Sequence, residues 1–142
     1  MGHPQVIKVY PLIREGDAFE IFPTLFWLSC PSLIEQISRL EYQGVIKEVE
    51  TLIAQDLAFR ECYHQNHRDY IRERWELLSR EDKAFLKTHK LEEALKQRGI
   101  GGIKNWNKVK CLHLQYAHYL VRENVIGQWL TEHFVIRACS AY

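Results

Sequence analysis

The sequence predicts an α+β fold that is predominantly helical: an N-terminal β-hairpin packed on about six helices, in a single domain spanning residues 1–142. Three observations predict it. β-favouring residues gather before Cys30, where Val6, Ile7, Val9, Tyr10, Leu12 and Ile13 form one run. After Cys30, apolar residues recur at three- and four-residue spacing between helix start and stop signals. With 142 residues, 46% hydrophobic and 26% charged, the chain can build one core and bury roughly 70% of its unfolded surface without a disulfide or metal.

Taken in order, Val6 to Ile13 and Ala18 to Ser29 read as the two strands of the hairpin. Arg14-Glu15-Gly16-Asp17 turns between them, and Pro23 bends the second strand or confines it to an edge. Ser32 and Glu35 have capping-box spacing, so a helix is expected to start there, with Leu33, Ile37 and Leu40 inward and Gly44 as its stop. Val45 to Ala54 is a second helix. A long polar helix runs from about Asp56 to Leu78, with Phe59, Cys62, Tyr63, Asn66 and Tyr70 along one face. Ser79 caps another, and Leu91 to Arg98 is a short one ended by Gly99. The glycine loop Gly99–Gly102 leads into Lys108–Val121, the most apolar helix, expected to be central through Leu112, Ala117, Leu120 and Val121. Asn124 breaks that helix, and Val125 to Phe134 forms the last one.

Composition excludes several function classes. No apolar run approaches the ~18 residues of a membrane span, and Met1-Gly2-His3-Pro4 does not resemble an export signal. The expected address is the cytoplasm, where Cys30, Cys62, Cys111 and Cys139 are thiols or ligands rather than disulfides. Net charge is +1 but uneven: residues 1–79 hold 8 basic against 12 acidic side chains, residues 80–142 hold 11 against 6. Ala94 through Arg122 contains six Lys or Arg and no carboxylate. Such a stretch either attracts an anion or faces the acidic first half within the fold.

The candidate chemistry lies in cysteines and histidines. Cys111, Gln115 and His118 fall at i, i+4 and i+7 of one helix and share a face, whereas His113 is about 200° round from Cys111. Cys111 in the first helical turn, beside Lys108 and Lys110, would be favoured as a thiolate by free N–H groups and nearby ammonium charge. Cys30 sits at a strand-to-helix junction, and His67 lies between Tyr63 and Tyr70 on the long helix. Each of these is equally the kind of residue that packs into a core. Gly101 and Gly102, with Lys104, Lys108 and Lys110, could cradle an anion before a helix, although the spacing matches neither a Walker loop nor a dinucleotide fingerprint.

Together, the segments Phe22-Pro23-Thr24-Leu25-Phe26-Trp27-Leu28-Ser29-Cys30-Pro31, Arg39-Leu40-Glu41, the glycine loop, and Val109-Lys110-Cys111-Leu112-His113 with Ala117-His118 resemble the bacterial domain-of-unknown-function family 501, from about Ile13 to Trp129. Tyr63, His67, Tyr70 and Arg74 match the family's long-helix pattern. The resemblance carries no activity, but it implies that Cys30, His67, Cys111, His113 and His118 belong to the family's motifs. The N-terminal cysteines of some relatives are absent here.

Three readings follow. In the first, Cys30, His67, Cys111 and His118 bind a transition metal such as zinc, catalytic if one position stays open. In the second, Cys111 is a metal-free nucleophile on a phosphorylated or acyl substrate, with His118 or His113 as base. In the third, Gly99–Arg122 is a non-enzymatic module for an anionic small molecule, a nucleotide or a nucleic acid. The first two readings expect the Cys30 and Cys111 sulfurs within about 8 Å of one another. The third expects Lys104, Lys108, Lys110 and Arg122 to line a concave surface by the glycine loop.

Overall fold

A computed structural model describes residues 3–138. Its fold class is the expected one: predominantly α with a small β region confined to residues before Cys30. The strands are β1 (Val6–Lys8), β2 (Leu12–Glu15), β3 (Ala18–Ile21) and β4 (Phe26–Leu28). The helices are α1 (Pro31–Tyr42), α2 (Val45–Gln55), α3 (Leu57–Leu77), α4 (Arg80–Thr88), α5 (Glu92–Gln97), α6 (Leu112–Val121) and α7 (Val125–His133), with a 3-10 turn at Ile100–Gly102.

The hairpin differs from expectation in being broken on both arms. β2 pairs antiparallel with β3 at its tip, and β1 with β4 at its base. Leu12 opposes Ile21 at the tip, where paired numbers add to 33, but Val6 opposes Leu28 at the base, where they add to 34. The ribbon therefore slips by one residue between its halves, which exchanges the inward and outward faces. The break contains Pro11 and Pro23, neither of which can donate a ladder hydrogen bond. Val9 N–H to the Leu25 carbonyl and Phe22 N–H to the Pro11 carbonyl still cross the break, and helix α3 reinforces it. The Tyr70 hydroxyl accepts from Leu25 N–H at 2.5 Å, and the Arg74 guanidinium donates to the Pro23 carbonyl at 2.7 Å.

The buried residues of α3 are Tyr63, Asn66, His67, Tyr70 and Arg74, at helical spacing; Cys62, expected on that face, is exposed. Arg74 is fully buried, with no carboxylate partner among the described residues. Besides Pro23 it donates to the carbonyls of Leu95 (2.8 Å), Arg98 (2.5 Å) and Gly99 (3.4 Å), tying the strands to the end of α5. The expected Ser32–Glu35 capping box does not form. Pro31, whose φ is preset for a first helical residue, starts α1 with Cys30 as its cap; Ser32 bonds Gln36, and Glu35 pairs with Arg39.

Helix α6 is central: six of its ten residues are buried, the largest share of any helix, and it packs on β4, α1 and α7. It begins at Leu112 rather than Lys108. Leu112 and Ala117 are buried as expected, but Val121 is exposed where the helix ends. No helix among the described residues is long and apolar enough to cross a membrane.

Candidate metal centre

The site is built where residues 108–113 run into α6. Three side chains from the first half of the chain hold this segment. The Tyr63 hydroxyl donates to the Lys108 carbonyl at 2.7 Å, Glu50 accepts from Val109 N–H at 2.9 Å, and Glu41 accepts from Leu112 N–H at 2.6 Å. Between them, Cys111 is the N-cap of α6, with extended backbone (φ −158°, ψ 153°), and its sulfur accepts from Leu114 N–H at 3.4 Å.

That capping role corrects the expected geometry. An N-cap residue lies outside the helical dihedrals, so the 100° rotation per residue does not place it. Its side chain folds over the first turn, beside the second helical residue, His113. Cys111 and His113 are thus brought together, although counting residues round a helix puts them on different faces.

Glu41, in the last turn of α1, completes the group. One ligand atom from each of Glu41, Cys111 and His113 lies within 4.8 Å of the other two. Glu41 Oε1 is 3.2 Å from His113 Nδ1. On its other edge, His113 Nε2 faces the Ile34 carbonyl at 3.3 Å and Ser38 Oγ at 3.0 Å. The Ile34 carbonyl and the Glu41 carboxylate can only accept, so hydrogens on both Nε2 and Nδ1 are favoured, and a metal at Nδ1 would take the place of the second. A hydrogen bond with Cys111, and the charge of Glu41, raise His113 above the ordinary imidazole value despite its partial burial. An open cavity of about 390 Å³ adjoins the group, bounded by Trp27, Leu28, Ile34 and Leu114 together with Cys111 and His113.

The other expected ligands do not join this group. Cys30 is fully buried in a cluster with Leu33, Ile37 and Leu112, and Cys111 packs against the cluster of Leu114 and Ala117. His67 is fully buried beside the rings of Tyr63 and Trp106, and its Nδ1 accepts from Ile100 N–H at 3.0 Å. His118 stacks on Phe26 and meets Asn124 at 3.1 Å through Nδ1. Among the described residues, no metal-ligand group includes Cys30, His67 or His118. Burial pushes His67 down to about 3 and His118 down to about 4, so both are neutral at physiological pH. Asn124 also caps α7 and bonds Gln115, so the Gln115–His118 face joins two helices. Cys139 lies outside the described residues.

The basic stretch is largely answered from within the fold. Lys108 approaches Glu50 at 3.8 Å, Arg122 pairs with Glu73 at 2.7 Å, and Lys110 donates to the Gly101 carbonyl at 3.0 Å. Lys104 lines a separate depression with Lys90 and Arg98. In the glycine loop, the N–H groups of Gly99, Ile100 and Gly102 are bonded to Ile103, His67 and Gly99 respectively. Gly101 and Gly102 have φ of +74° and +78°, and a Cβ on Gly102 would sit 3.0 Å from Pro23. These glycines answer a packing need.

Sequence reasoning missed Glu41 as a site residue. The available signal was its place in Arg39-Leu40-Glu41, one of the segments that carry the family resemblance, outside any ligand-type spacing. No curated protein and no solved structure is detectably similar to the chain. The family described as protein of unknown function (DUF501) matches residues 1–132, covering the strands and all seven helices almost entirely, and the chain belongs to it.

Proposed function

We propose that this protein binds a transition metal ion through Glu41, Cys111 and His113, with zinc the ion whose donor preferences fit best. The observation that carries this reading is the convergence of one thiol, one imidazole and one carboxylate within 4.8 Å. A tetrahedral zinc with bonds of about 2.0–2.3 Å would hold such atoms roughly 3.5 Å apart, a contraction within side-chain reach. Two further features support it. The hydrogen bond from His113 Nε2 to the Ile34 carbonyl is the kind of support that orients a ligating imidazole. The mixed S, N and O donor set also disfavours calcium and magnesium. Three protein ligands leave a fourth position for water or a small molecule beside the cavity, the arrangement of a catalytic rather than a purely structural zinc; a metal there would polarise an oxygen or acidify a bound water.

The test is elemental analysis of protein purified without chelator, followed by Co²⁺ exchange and absorption spectroscopy. A stoichiometric transition metal and a thiolate-to-cobalt band, both lost in Cys111→Ser and His113→Ala but kept in Cys62→Ser, are expected. Absence of metal with intact fold would refute the reading.

A metal-free thiol centre is the second reading, favoured by the closeness of the Cys111 sulfur to the His113 imidazole, within 4.8 Å. It would pair the sulfur with an imidazolium held by Glu41, a nucleophile suited to acyl transfer. The glycine loop would take no part in it, because its N–H groups at Gly99, Ile100 and Gly102 are bonded internally.

A further inference from the structure

We infer that the centre at Cys111 and His113 acts on, or binds, small uncharged ligands carrying an apolar group of about phenyl or short-acyl size. The inference rests on the reading that these two residues form the reacting or ligating centre, with or without a metal. The wall facing them is mostly apolar, Trp27 and Leu28 from β4, Ile34 from α1 and Leu114 from α6; Thr24 and Lys110 complete the lining, with the Lys110 ammonium engaged by the Gly101 carbonyl at 3.0 Å. A dry apolar cavity of roughly 150 Å³ is enough to bind benzene, so about 390 Å³ admits a ring of that size together with the group that meets the sulfur. Trp27 is 46% exposed, an indole left at the surface beside this cavity. An exposed aromatic next to a thiol and an imidazole has the makings of a ligand platform. The backbone donors that a phosphoryl group would use in the glycine loop are already engaged at Gly99, Ile100 and Gly102, and Leu112 N–H is taken by Glu41.

The geometry gives a direct assay that does not depend on metal. Full-length protein is treated with chelator and alkylated with iodoacetamide or with N-benzyl iodoacetamide. Labelling rates at Cys111 and Cys62 are read by peptide mass spectrometry, with the exposed Cys62 as internal reference. The benzyl reagent is expected to gain at least about tenfold at Cys111 over its relative rate at Cys62, with saturation in reagent concentration. The Trp27→Ala variant, altered at a half-exposed position, should lose most of that gain while keeping its helical circular dichroism. Equal preference at the two cysteines, preference untouched by Trp27→Ala, or a Cys111 inert to both reagents would each overturn the inference. Selective labelling of a protein that holds no metal would keep the ligand class and refute only the metal reading.

Discussion

Acidification offers a quantitative check on which histidines belong to the core. His67 and His118 have native values lowered from 6.5 to about 3 and about 4, in both cases chiefly by burial. Between those values and 6.5 the unfolded chain binds protons that the folded chain does not. Stability is therefore fully present above 6.5 and falls with pH through the window down to about 4 and then 3. At pH 5 each imidazole has lost about 1.5 pH units of linkage, or about 2 kcal/mol at about 1.36 kcal/mol per unit. The pair together loses about 4 kcal/mol, a large part of the usual 5–15 kcal/mol. His113 works in the opposite sense: its raised value adds stability below 6.5 that disappears as pH rises through the native value, so its effect falls mainly above this window. Urea unfolding followed by tryptophan fluorescence at pH 7.5, 6.5, 5.5 and 5 should show a slope approaching 2.7 kcal/mol per pH unit at the acid end, for two extra protons. Ring-proton NMR of the folded protein should show His67 and His118 unprotonated at pH 5. A flat stability profile from 7.5 to 5, or either ring titrating near 6.5 in the native state, would refute the assignment of both as neutral core residues.

Other perturbations test the joints around the site. Gly99→Ala would place a methyl 2.2 Å from His67 Nδ1, inside a packed ring cluster, and should cost about 2–3 kcal/mol in urea unfolding. Asn124→Ala removes the α7 cap and the partner of both Gln115 and His118; about 2–4 kcal/mol of destabilisation is expected. Arg74→Lys retains charge but not the fork that reaches several carbonyls at once, and should cost about 2 kcal/mol or more by the same measurement. Glu41→Gln can still accept from Leu112 N–H but offers a poorer metal ligand. Its unfolding midpoint should change little while zinc affinity, measured by competition with a chromophoric chelator, falls at least about 100-fold.

Helix positions were legible because local chemistry dictates them. Asp56, Ser79 and Asn124 each accept the N–H that a cap should accept, and Gly44 marks the turn between α1 and α2. The break in the hairpin was legible only as a bend at Pro23, because the one-residue slip depends on how Tyr70 and Arg74 of a distant helix meet the strand. Two of the three residues of the candidate site were legible too: Cys111 and His113 stood out as reactive residue types in a distinctive segment. Their mutual geometry was not, because a periodicity argument assumes that every residue is helical and Cys111 is the cap. Glu41 was invisible for a different reason. Its contact with Leu112 spans 71 residues of sequence, and nothing in the spacing of an exposed-looking glutamate reports a partner so far away.

The pattern of supports has a consequence for how such a site would behave. Residues 108–111 have no regular structure of their own before α6, so the conformation of the segment that leads into it is imposed by Tyr63 from α3, Glu50 from α2 and Glu41 from α1. Glu41 has both tasks: one oxygen anchors the backbone that presents Cys111, and the other stands 3.2 Å from His113. The ligand group is therefore assembled only when three helices have docked on the start of α6. A ligand or metal that binds this group binds the folded chain in preference to the unfolded one, and stabilises it by an amount set by its free concentration relative to its dissociation constant. At a hundredfold excess over that constant the gain is about 2.7 kcal/mol. Because neither Glu50 nor Tyr63 belongs to the ligand group, loosening either one should weaken binding without removing a ligand atom. That separates assembly of the centre from its chemistry, and makes Glu50→Ala, which removes the acceptor for Val109 N–H, the complement to Glu41→Gln.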